Sequence, residues 1–225
     1  KLHQATLKKN NAISEILKKI YGNEVYEEKI KNLNEKEFDE FYKHVPERVL
    51  IILDEAYYEF AKDSPNYPDS MSYRYDNVIT LRTFSKAYGL AGARIGYGFA
   101  HDSLIQNLMK VKVPFEPSLT AQVAGLAALD DEAFLAETLQ VNKKGMAFLK
   151  QEFDALNIHQ VPSEANFITT VWDSEKKASQ LTQSLLENGV IVRQLTGFGW
   201  PNCIRISVGL ESENQKFIDS LKDIL

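Results

Sequence analysis

The sequence predicts an α/β protein, a mostly parallel sheet layered with helices and followed by a smaller α+β unit. Three observations lead there. Short apolar runs recur between residues 49 and 99 without the alternation of a half-exposed strand, as strands buried on both faces of a parallel sheet read. Helical periodicities separate and follow these runs. After Pro162 the pattern changes to shorter strands interleaved with helices, so the boundary falls near residue 133. Residues 1–132 then form a large domain and residues 133–225 a small C-terminal one.

The elements follow in chain order. Ile13, Ile16, Leu17 and Ile20 share a helical face, and Gly22 is a stop. Phe38, Phe41, Tyr42 and Val45 repeat that spacing; Asn34 and Glu37 stand like a capping box, and Pro46 ends the helix. Val49–Leu53, Val78–Leu81 and Ile95–Phe99 are the first three strands. Helices are expected over 103–112, 118–129 and 131–156. The last carries Leu135, Leu139, Met146, Leu149 and Phe153 on one face and is long enough to link two domains. A strand at Phe167–Val171, a helix marked by Ala178, Leu181 and Leu185 and stopped by Gly189, strands at Val190–Val192 and Ile204–Val208, and a helix with Phe217, Ile218 and Leu221 complete the chain.

The 225 residues are 44% hydrophobic and 25% charged, the balance of an ordinary globular protein, so disorder, collagen and coiled-coil arrays are excluded as the main architecture. With 26 basic and 31 acidic residues the net charge is −5, which gives no bulk attraction for nucleic acid or an anionic membrane. The single cysteine, Cys203, rules out an intramolecular disulfide framework and fits a reducing compartment. No apolar run approaches the roughly 20 residues of a membrane helix, and Lys1–Ile20 lacks the apolar core of a signal peptide. A soluble, cytoplasmic protein is the expectation.

Chemistry concentrates at strand ends, where open α/β folds place their ligands. Asp54 emerges from five apolar residues, a costly place for a carboxylate unless it meets a cation or donors, or caps the following turn. Beyond the second strand, Thr83, Ser85 and Arg94 surround Lys86, a set suited to a phosphate and a reactive amine. Only six of the basic residues are arginine, the side chain that grips carboxylates and phosphates bidentately. The nearby glycines at 89, 92, 96 and 98 lack the order of a dinucleotide fingerprint. His3, His44, His101 and His159 show no metal-ligand spacing, so no metal site is expected.

The segment Thr83–Gly98, TFSKAYGLAGARIGYG, together with Asp54-Glu55-Ala56-Tyr57, resembles the fold-type I pyridoxal-phosphate aminotransferases. Within them it is most similar to the histidinol-phosphate aminotransferase family. Val113-Pro114-Phe115, Ala121-Gln122, Pro162–Phe167, Gly189–Arg193 and Ile204–Gly209 follow in that family's order, and the resemblance spans Asn34 to Leu225. It implies a large domain with a mostly parallel sheet covered by helices on both faces, plus a smaller C-terminal α+β domain.

The resemblance also implies roles. Lys86 matches the lysine that condenses with the aldehyde of pyridoxal 5'-phosphate and shuttles a proton. Asp54 matches the carboxylate paired with the pyridine nitrogen, Tyr57 the phenol bonded to the ring oxygen, and Thr83, Ser85 and Arg94 the cofactor-phosphate clamp. Arg205 matches the holder of the substrate α-carboxylate, against the reading of a strand residue snorkelling at a sheet edge. Arg193 matches the position associated with a substrate phosphate, against that of a surface residue ending a strand. Asn166 lines the site or closes a turn, and Tyr58 and Tyr88 are packing residues.

The implied reaction is transamination between histidinol phosphate and 2-oxoglutarate in histidine biosynthesis, by a cytoplasmic homodimer acting on small molecules: a phosphorylated amino alcohol and glutamate or 2-oxoglutarate. Alternatives are a threonine-phosphate decarboxylase, an aromatic amino acid aminotransferase, or an inert partner-binding domain. Phe115-Glu116 departs from the commoner Phe-Asn. The family's N-terminal arm, glycine-containing phosphate loop, stacking aromatic and Asn-Pro stretch are not recognisable in residues 1–33. A seam joining separated stretches between Lys1 and Asn34, or a true fragment, is expected.

Overall fold

The computed structural model describes residues 35–65, 67–72 and 75–225. The helix expected at Ile13–Ile20, the cap at Asn34, the seam, His3 and Arg74 lie outside the described residues. The described chain divides into two compact units. One holds residues 35–55, Lys62–Arg82 and Tyr97–Glu116; the other holds Ala56–Ala61, Thr83–Gly96 and Pro117–Leu225. This interleaving differs from a single boundary near residue 133. One reason is local: a Cβ at Gly125 would lie 3.1 Å from Ile95 and 3.6 Å from Phe84, so the helix carrying Gly125 packs on the Thr83–Gly96 segment.

The first unit begins with helix α1 (Glu35–Lys43), whose buried Phe38 packs near Phe41, Tyr42 and Tyr75. Strand β1 (Ile51–Asp54) pairs in parallel with β2 (Val78–Thr83), from Ile51 opposite Val78 to Asp54 opposite Leu81. Strand β3 (Gly96–Ala100) takes the far side, giving the order β1-β2-β3. A Cβ at Gly98 would approach Leu81 Cδ2 to 2.9 Å and the Thr80 carbonyl to 3.2 Å, so glycine admits the close approach to β2. The expectation of burial on both faces holds for Val78, Ile79 and Thr80 but not for β1. Leu50 and Ile52 are 44% and 47% exposed, so among the described residues the face of β1 that carries Ile52 is left uncovered.

The second unit contains the short helix α2 (Tyr58–Ala61) and two long helices reached after α3 (Asp102–Val111) of the first unit. Helix α4 (Leu119–Asp130) is capped by the Ser118 hydroxyl, which accepts from Ala121 N; α5 (Glu132–Ala155) is capped by Asp131, which accepts from Phe134 N. Each cap satisfies a backbone donor that has no partner inside the helix.

Strands β4 (Gln160–Val161), β5 (Phe167–Val171), β6 (Arg193–Leu195) and β7 (Trp200–Ser207) make an antiparallel sheet in the order β4-β5-β7-β6. One face carries Ile168, Ile204 and Ile206. It buries them against Leu149 and Phe153 of α5, Ala178, Leu181 and Leu185 of α6 (Glu175–Glu187), and Phe217, Ile218 and Leu221 of α7 (Glu211–Ile224). The strand expected at Val190–Val192 begins instead at Arg193. Gly189, at φ +71°, turns the chain out of α6, and Val190 N closes that turn on the Leu185 carbonyl. Val190 and Val192 pack on the core without entering the ladder.

Candidate active site

The loop after β2 is built around Lys86. Phe84 N donates to the Ile95 carbonyl, Leu90 N to Phe84 O and Gly89 N to Lys86 O, closing the loop on itself. Phe84 and Ala87 are buried on either side while Lys86 is exposed, so the fold fixes the backbone and leaves the amine free to react. Tyr88 packs on Phe84 with ring centroids 5.1 Å apart, the packing role expected of it. Gly89 holds φ +68° at the turn, a conformation that costs glycine little.

Two further side chains of this loop present donors. Thr83 Oγ1 accepts from Ser85 N at 3.1 Å, which leaves the hydroxyl proton for an outside acceptor. Arg94 sits in the left-handed region at φ 53°, uncommon for a residue with a β-carbon. One of its N–H groups donates to the Ala91 carbonyl at 2.9 Å; a guanidinium has five such donors in all. Strain of this kind, of order 1–3 kcal/mol, persists where the surroundings dictate the conformation and clusters at functional sites.

Within the same unit a chain of ring contacts joins Lys86 to the second sheet. Lys86 Nζ lies 5.3 Å from the centroid of the Tyr57 ring. That ring meets Phe167 edge-on, with centroids 5.4 Å apart and planes at 75°. The guanidinium carbon of Arg205 lies over the Phe167 ring, 4.9 Å from its centroid, and Arg205 Nε is buried with no hydrogen-bond partner. Arg193 stands directly opposite Arg205 across the β6–β7 pair and lies 5.6 Å from the Phe198 ring centroid. Like charges placed opposite one another on a sheet are unfavourable by themselves. An anion between them reverses the sign.

Among the described residues Lys86, Arg94, Arg193 and Arg205 form no salt bridge. Arg82, by contrast, is paired with both Glu55 and Asp69. The four unpaired cations therefore leave positive charge available to a ligand.

Asp54 is exposed at the carboxyl end of β1 in the first unit, opposite Leu81. Ser85 is half-buried in the loop, its backbone N–H held by Thr83. Asn166 supplies its carbonyl to Val208 N at 2.9 Å, and its side chain makes no hydrogen bond among the described residues. Among those residues there is no cluster of metal-ligating side chains. The structure thus brings Tyr57, Lys86 and Arg205 together through Phe167, and sets Arg193 beside Arg205. Phe167 was legible only as the first residue of a strand; its place after Asn166 in the Pro162–Phe167 motif was the available signal.

The sequence pattern of the "Aminotransferase class I and II" family matches residues 31–221. "Histidinol-phosphate aminotransferase 1" of Nitrosococcus oceani is 43% identical over 86% of this chain and 52% of its own length. "Histidinol-phosphate aminotransferase 2" of Carboxydothermus hydrogenoformans is 42% identical over 84% of this chain and 52% of its own. The crystal structure of histidinol-phosphate aminotransferase from Sinorhizobium meliloti in complex with pyridoxal-5'-phosphate is similar in fold, with a TM-score of 0.76 and 29% identity over 84% of this chain and 53% of that one. The chain spans about half the length of the curated relatives it matches.

Proposed function

The chain belongs to the class I and II aminotransferases, and from that premise we propose that the protein is a pyridoxal-phosphate-dependent aminotransferase acting between histidinol phosphate and 2-oxoglutarate. One observation carries the reading. An exposed amine and three guanidiniums, none paired with a carboxylate among the described residues, sit in one unit, with the amine linked by two rings to the arginine whose Nε is buried and unpartnered. Such an arrangement fits small anions that carry a carboxylate or a phosphate.

The residues of the second unit fit pyridoxal 5'-phosphate on the same ground. Lys86 would hold its aldehyde carbon, the Thr83 hydroxyl proton, Ser85 and the donors of Arg94 would hold its phosphate, and Tyr57 its ring oxygen; the resemblance alone gives the ring nitrogen to Asp54. When bound, the cofactor supplies an electron sink for the carbon that loses its proton. Lys86 Nζ moves that proton to and from the substrate Cα, and the Tyr57 ring face beneath it limits where the amine can swing. Arg205 orients the α-carboxylate, or the matching end of the amino alcohol, with Phe167 stacked under the guanidinium. Arg193 takes the substrate phosphate, and Asn166 borders the site. The resemblance supports a cytoplasmic homodimer.

Full-length protein supplied with pyridoxal 5'-phosphate and offered a panel of amino donors tests the reading. Amino transfer from histidinol phosphate to 2-oxoglutarate, without release of carbon dioxide, is expected. Carbon dioxide release from a phosphorylated amino acid would favour the decarboxylase alternative, and absence of both reactions would refute the proposal.

A further inference from the structure

Arg82 precedes Thr83 and Glu55 follows Asp54, yet neither has a part in the chemistry above. Both are buried, at 7% and 8% exposure. Arg82 Nε donates to Glu55 Oε2 at 2.9 Å, and Nη2 donates to Asp69 Oδ1 at 3.0 Å. The guanidinium carbon also lies 5.1 Å from the ring centroid of Phe99 on β3. Asp69 Oδ1 further accepts from Met71 N at 3.0 Å, and Glu55 N donates to the Leu81 carbonyl at 2.9 Å. A single side chain in β2 thereby ties together the carboxyl end of β1, the Asp69 loop and β3, all within the first unit.

Stability alone is a poor reason for this arrangement, because apolar pairs of similar volume commonly replace buried ion pairs without loss. Directional bonds from a planar fork do fix geometry. We propose that Arg82 is a positioning residue: by holding Glu55 it fixes the backbone that carries Asp54, and so sets the affinity for pyridoxal 5'-phosphate. The inference rests on the functional reading above.

The test uses full-length wild type, Arg82→Lys, Arg82→Met, the double variant Glu55→Met/Arg82→Met, and Arg82→Lys in an Asp54→Asn background. Three quantities are read: the thermal midpoint of cofactor-free protein, the Kd for pyridoxal 5'-phosphate by absorbance titration, and the borohydride-trapped adduct at Lys86. Arg82→Met leaves Glu55 buried and unpaired and is expected to lower both midpoint and affinity. The double variant is expected to regain the midpoint while its Kd stays about 10- to 100-fold weaker, the range seen when groups that orient metal ligands are removed. Arg82→Lys keeps the charge without the fork and should keep the fold with a weaker Kd. That weakening should vanish in the Asp54→Asn background, since coupled residues are not additive.

A double variant or Arg82→Lys that binds with wild-type Kd overturns the role of Arg82. So does an Arg82→Lys effect that persists in full without the Asp54 carboxylate. If wild type itself takes no adduct at Lys86, the functional reading fails first, and that result is distinct from an adduct with unchanged affinities.

Discussion

Replacing Arg193 with glutamine should separate recognition of a phosphate from stability of the sheet. Arg193 and Arg205 face each other across β6 and β7, and each guanidinium stacks over its own ring, Phe198 and Phe167. Removing the Arg193 charge relieves a cross-strand repulsion of about 0.2–1 kcal/mol. It also forfeits a cation–π contact of about 0.5–1 kcal/mol at an exposed position. The two nearly offset, so the melting temperature of Arg193→Gln should stay close to wild type. Binding is another matter, since a hydrogen bond to a charged group contributes roughly 1.5–3 kcal/mol, or about ten- to a hundredfold in kcat/KM. The assay compares kcat/KM for histidinol phosphate with that for plain histidinol in both proteins. The loss should fall on the phosphorylated substrate alone. Equal losses for both substrates would show that Arg193 does not read the phosphate, and a marked drop in melting temperature would show that the offsetting of the two stability effects was misjudged.

Lys86→Ala should yield no borohydride-trapped adduct with pyridoxal 5'-phosphate, as mass spectrometry of the treated protein would reveal; normal trapping would remove the central assignment. Gly145→Ala on α5 sets two effects against each other. Helix propensity favours alanine by about 1 kcal/mol. The added Cβ, however, would lie 2.4 Å from Val208 Cγ1 and 2.8 Å from Asn214 Nδ2, where Asn214 holds both the N–H and the carbonyl of Gly209. Overpacking of about 1–3 kcal/mol plus a weakened pair of hydrogen bonds should prevail, for a net loss of roughly 1–3 kcal/mol in urea unfolding. A stabilised variant would mean that Val208 and Asn214 move aside freely. Cys203 is buried, and burial pushes its thiol pKa up, so little thiolate forms near neutral pH. Iodoacetamide should therefore label it only after unfolding, and rapid labelling of native protein would contradict that burial.

The sequence by itself determined what depends on neighbours along the chain. Ser118 and Asp131 mark their helix starts because a cap needs only its own side chain and an amide three residues on. The Lys86 loop was legible because its amine, hydroxyls, glycines and Arg94 lie within a dozen residues. Phe167–Val171 declared itself as a strand through its β-branched and aromatic composition.

Periodicity reports which face a residue occupies, not which residue stands across from it. For that reason the run Val49–Leu53 read as buried on both faces although Ile52 is open, since what packs over each face is not written in those five residues. The late start of β6 at Arg193 was likewise set by the turn out of α6 and by pairing with β7. Cross-strand register placed Arg193 against Arg205, and long-range ring contacts put Phe167 between Tyr57 and Arg205. No pattern along the chain assigned Arg82 a partner; the fold sets two carboxylates and a ring around its buried guanidinium. A buried charge must find partners wherever the fold brings them, and only the tertiary structure decides which ones arrive.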